Sequence, residues 1–75
     1  MIQSTDHQGR AHYLKNVRTG QPVNMGQTLE TFRGERLAII GGRAPHHSAS
    51  TGRVWTETGR EYFPAVFGCT WEPVC

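Results

Sequence analysis

Apolar residues along this chain come in short alternating runs broken by glycine and proline, a spacing that predicts short β-strands. His12 to Val17 reads as a first strand, followed by a turn at Arg18-Thr19-Gly20. Pro22 lacks an N–H to give to a ladder, so the next stretch belongs at an edge or in a loop. Thr28-Leu29-Glu30-Thr31-Phe32 is rich in β-favouring residues and runs into a turn at Arg33-Gly34. Glu35 to Ile40 carries the longest apolar run, Leu37-Ala38-Ile39-Ile40, and is the expected buried strand, stopped by Gly41-Gly42. Residues 43–51 form a loop by local criteria. Residues 3–11 are polar and broken at Gln8-Gly9, so 1–11 is expected to be a flexible arm ahead of a single domain over 12–75.

The clearest local signal is a hairpin. Arg53-Val54-Trp55-Thr56-Glu57 and Arg60-Glu61-Tyr62-Phe63 flank Thr58-Gly59, which predicts a two-residue turn. That register sets Trp55 against Tyr62, Val54 against Phe63 and Glu57 against Arg60, all complementary pairs. Pro64 ends the second strand. Ala65-Val66-Phe67-Gly68 suits a single 3₁₀ turn, and Cys69-Thr70-Trp71 a short closing strand. No window of about ten residues carries a helical apolar period. The fold class is therefore all-β, and about five short strands with close turns predict a small barrel, because closure removes sheet edges.

With 75 residues the chain has room for one small core. No apolar run approaches the ~20 residues of a membrane-spanning helix, and Met1 to Asp6 lacks the basic and apolar regions of a signal peptide. A cytoplasmic location with no membrane partner is expected. Net charge is only +2, but Lys15 is the sole lysine among eight basic residues. The arginines offer planar forks suited to phosphate, carboxylate and aromatic partners. Cys69 and Cys75 have no CxxC partners, and the adjacent His46 and His47 diverge on a strand, so no metal site is expected. Cys69 reads as a core thiol and Cys75 as a frayed end, without a disulfide between them.

The closing order of strand, hairpin, 3₁₀ turn and short strand resembles that of SH3-like barrels. Arg60 to Phe67 is similar to the segment in which Phe-Pro opens the 3₁₀ turn of SH3 domains. Gly26 to Gly34 resembles the opening strand of a KOW-type barrel, with Gly52-Arg53-Val54 standing for its Gly-x-Val. These stretches cover residues 26–71. The resemblance implies an SH3-like barrel with a 3₁₀ turn before the last strand. The acidic loop and paired Trp of peptide-binding SH3 domains are missing, and residues 41–51 are an insertion relative to KOW. The chain also resembles small phage-encoded proteins.

Two groups of residues carry candidate chemistry. The 41–53 loop gathers Arg43, His46, His47, Ser48, Ser50, Thr51 and Arg53 with flexible glycines, donors able to surround a phosphate. Its ordinary alternative is a solvated loop that merely ends two strands. Trp55 and Tyr62, flanked by Arg53 and Arg60, would form a stacking platform if their face is outside; the alternative is that the N-terminal strand covers it. Such a platform suits a protein hot spot or the bases of single-stranded nucleic acid. No catalytic set is visible: Asp6 is the only Asp and lies in the arm. The expected function is a non-catalytic, cofactor-free module binding a protein, as an adaptor or inhibitor. Nucleic-acid or nucleotide binding through the loop is the alternative, and self-association is compatible with both.

Overall fold

The computed structural model describes residues 1–74, in which seven strands form two antiparallel sheets with one 3₁₀ turn. In chain order these are β1 (Gln3–Thr5), β2 (Ala11–Asn16), β3 (Thr28–Glu30), β4 (Arg36–Arg43), β5 (Arg53–Thr56), β6 (Glu61–Tyr62), the 3₁₀ turn (Pro64–Phe67) and β7 (Cys69–Pro73). One sheet has the order β1-β2-β7 and the other β3-β4-β5-β6. The all-β expectation and the 3₁₀ turn are thus met. Closure into a barrel is not: among the described residues no ladder joins β3 to the first sheet, and the one backbone bond bridging that seam beside it runs from Phe32 N–H to Val66 O.

Three of the hairpins repeat one local solution. Asp6 to Arg10, Thr31 to Glu35 and Thr56 to Arg60 each close a three-residue loop ending in glycine. In each, the glycine N–H donates to the carbonyl of the first residue, and that residue's N–H donates to the carbonyl of the last. Gly9, Gly34 and Gly59 take φ of 81°, 86° and 81°. The leading side chain finishes the turn in two cases: Asp6 Oδ1 accepts from Gln8 and Arg10 N–H, and Thr31 Oγ1 from Arg33 and Glu35 N–H.

This geometry corrects the predicted 53–63 hairpin. The strands pair Val54 with Tyr62 and Trp55 with Glu61, one residue away from the expected register. A two-residue primed turn would need positive φ at Thr58, or glycine as its first central residue. Thr58 is β-branched, and among the described residues only glycines have positive φ. The three-residue loop Glu57-Thr58-Gly59 asks for positive φ at Gly59 alone, and so it is the one that forms.

Two further expectations change. The segment expected as a flexible arm contains β1, which pairs with β2, and Ile2 is buried at 4% exposure. Ile2 N–H donates to Val23 O and its carbonyl accepts from Leu14 N–H, so β1 and residues 21–23 together line one side of β2. Nor does Gly41-Gly42 stop β4, which runs on to Arg43. The two glycines let indoles approach from opposite faces: Trp55 covers Gly41, and Trp71 lies against Gly42.

Trp71 joins the sheets. It pairs with Leu14 in β2, packs on Gly42 and Gly52, and donates from Nε1 to Arg53 O at 3.2 Å. Around it lie Ile2, Leu14, Val23, Ile39, Ala44, Val54, Phe67 and Cys69, with Leu29, Leu37, Tyr62 and Val66 at the margin. Cys69 is a core thiol as expected; burial pushes it up to about 11. The frayed-end and disulfide readings of Cys75 lie outside the described residues. Among those residues no helix is long and apolar enough to cross a membrane.

Candidate functional site

The outer face of β4-β5-β6 carries the arrangement richest in recognition chemistry. Strand pairing sets Trp55 between Gly41 and Glu61, and Arg53 opposite Arg43. Phe63 follows Tyr62 and comes level with Arg53, whose guanidinium lies 4.5 Å from the ring centroid. Trp55 Nε1 donates to Glu61 Oε2 at 2.8 Å, which fixes the indole over Gly41. A register irregularity between Ile39 and Gly41 leaves Ile40 unpaired and 49% exposed. Trp55 is 37% and Phe63 56% exposed.

The two arginines of this face form no ion pair among the described residues. The contacts of carboxylates with basic side chains among the described residues join Asp6 to His12 and Lys15 to Glu72, and neither involves an arginine. Directly opposed like charges cost a sheet free energy. Arg53 offsets part of that cost by donating to Gly52 O at 2.8 Å and stacking on Phe63. Arg43 is exposed with no such partner among the described residues.

The sequence-predicted residues divide accordingly. Arg43, Arg53 and Trp55 come together. Tyr62 does not join them, because the corrected register turns it inward, where it meets Phe67 edge-on at 5.3 Å. Phe63 takes the place expected of Tyr62. Arg60 lies at the far end of the hairpin, beside the Thr31-Phe32-Arg33 turn. In the loop, His46, His47, Ser48 and Thr51 are exposed, and the two imidazoles meet edge-on at 6.4 Å. Ser50 is committed within the loop: its Oγ accepts from Gly52 N–H and its own N–H donates to His47 O. Ala44 anchors the loop's near end by donating to Ser4 Oγ at 2.9 Å. At the loop's neck Arg43 and Arg53 stand opposite each other.

Sequence reasoning missed a second surface. Phe32, at the tip of the β3–β4 turn, is 77% exposed, with the Arg33 guanidinium 5.8 Å from its ring centroid. It stands between clefts of about 440 and 300 Å³. The repeated turn pattern would have placed Phe32 at a loop tip, though not beside clefts. No protein family, no curated protein and no solved structure matches the chain.

Proposed function

We propose that the chain is a non-catalytic, SH3-like module that binds another protein through the outer face of β4-β5-β6. One observation carries this reading: Trp55 and Phe63, both exposed, share that face with two opposed arginines lacking carboxylate partners among the described residues. Interface hot spots are enriched in Trp and Arg, and aromatic anchors dominate their energetics. A face that already tolerates like-charge opposition gains when a partner's carboxylates arrive. The SH3-like part rests on element order, with Phe63-Pro64 opening the 3₁₀ turn before the last strand. The opposed arginines also support a second reading, single-stranded nucleic acid stacked on Trp55 and Phe63.

Photo-crosslinking separates the two. A benzophenone amino acid replacing Phe63 should yield protein adducts that survive nuclease and about 0.5 M salt, while the same probe at Thr19 should not. Phosphate-driven binding weakens steeply with salt. If Trp55 fluorescence is quenched by an oligothymidylate at low salt and the adducts vanish with nuclease, the protein-binding reading fails and the nucleic-acid reading stands.

A further inference from the structure

The alternation of an antiparallel ladder determines which backbone groups of β3 face outward. Ile39 N–H donates to Gln27 O at 2.9 Å, and Thr31 N–H to Glu35 O at 2.8 Å. Gln27 and Thr31 therefore spend polar groups on β4, and Leu29, paired with Leu37 midway between them, does the same. Thr28 and Glu30 must point their N–H and C=O groups away from β4. Phe32 comes next in that outward series, and its N–H is taken by Val66 O at 3.2 Å. Thr28 and Glu30 find no backbone partner on that side among the described residues.

The cleft of about 440 Å³ runs along this free edge, a volume within the usual range for ligand clefts. Its lining includes Leu29 and Val66, half-buried at the margin of the core. Arg18 and Arg36 also line it, each without a carboxylate partner among the described residues, together with Glu30. The cleft thus combines unpaired strand polar groups, an apolar wall and an excess of one positive charge.

We propose that this cleft receives an extended peptide segment of a partner protein, which adds as a strand to the free edge of β3. Main-chain bonds to Thr28 and Glu30 supply affinity, and alternate side chains supply selectivity. The segment preferred would place an apolar side chain against Leu29 and Val66 and a carboxylate between Arg18 and Arg36. The site is separate from the Trp55 face and does not depend on the reading given to that face.

Phage-displayed random dodecapeptides selected on the intact protein supply the probe. Enriched peptides, synthesised with blocked termini, are titrated into ¹⁵N-labelled protein. The expected result is an alternating apolar pattern with an acidic residue, and the largest amide shifts over residues 28–31. Glu30→Pro removes an outward N–H that β4 does not use, a position where an edge strand tolerates proline. It should weaken binding at least tenfold, as should Arg18→Ala, whereas Trp55→Ala should change it less than twofold. Because the proline variant could unfold, the same peptides with alternate backbone N–H groups methylated provide an independent measurement on unaltered protein, and should also lose at least tenfold. The proposal is overturned if no peptide is enriched, if shifts cluster at Trp55 and Phe63, or if methylated peptides bind equally well. A concentration-dependent dimer protecting amides 28–31 would also overturn it, assigning the edge to a second copy of the chain.

Discussion

At Gly42 and Gly52 the backbone leaves no room for a methyl group. A Cβ on Gly52 would sit 2.5 Å from Arg43 O and 2.6 Å from Trp71 Cδ1, at a φ of +81°. On Gly42 it would meet Arg53 O at 2.5 Å and Trp71 Cζ2 at 2.7 Å. Gly59 has the same φ as Gly52 but open space around it. Gly59→Ala should therefore cost only the left-handed backbone penalty, about 1–2 kcal/mol. Gly52→Ala adds overpacking of a further 1–3 kcal/mol or so, because the overlap is with backbone and an indole that cannot swing away. Urea unfolding of the two variants measures the difference; equal losses would show that Trp71 does not pack on the loop neck. Cys69 allows a test by pH. Its thiol is held near 11 in the fold against an ordinary 9.0, so between those values the folded chain keeps a proton that the unfolded chain has lost. The stabilisation is complete below about 9 and disappears as pH rises through 11. The urea midpoint of the parent should fall between about pH 8 and pH 10.5, while Cys69→Ala, though weaker throughout, should lack that part of the decline.

The strands themselves are short, and their turns do much to align them. Thr31 is 5% exposed, and its hydroxyl accepts from two backbone N–H groups. Thr31→Val keeps the shape and strands both donors, a loss of about 1–3 kcal/mol; Thr31→Ser, which keeps the oxygen, should lose much less. Thermal denaturation of the pair distinguishes hydrogen bonding from packing. The turn pattern, Asp or Thr followed two residues later by a residue and then glycine, recurs at 6–10, 31–35 and 56–60 and was open to sequence reading in full. Pairing chemistry led the other way at 53–63, because Trp55 with Tyr62 is a better side-chain match than Trp55 with Glu61. Backbone conformation prevailed: a strained φ at Thr58 would be borne by every folded molecule, whereas an aromatic pair adds roughly 0.2–1 kcal/mol.

For the molecule as a whole, the N-terminal segment is structural. Ile2 closes one end of the core and β1 supplies the hydroxyl, from Ser4, that anchors Ala44. Ile2→Ala should cost about 2–5 kcal/mol, and removal of residues 1–5 should abolish a cooperative thermal transition in circular dichroism. Survival of the transition would show that the second sheet suffices alone. The polar composition of residues 3–11 concealed this, since an edge strand with one wet face needs only Ile2 and backbone bonds to dock. What the residues determined by themselves was local: an all-β chain, the positions of its turns, the 3₁₀ turn opened by Pro64, and Cys69 as an interior thiol. Those follow from glycine's access to positive φ, proline's missing donor and alternating polarity, each decided within a few positions. The tertiary structure alone decided that β4 runs through Gly41-Gly42, and that β3 keeps a free edge beside a cleft. Each depends on residues distant in the chain: Trp71 packing on Gly42 and Gly52, Val66 capturing Phe32 N–H, and Ser4 holding Ala44.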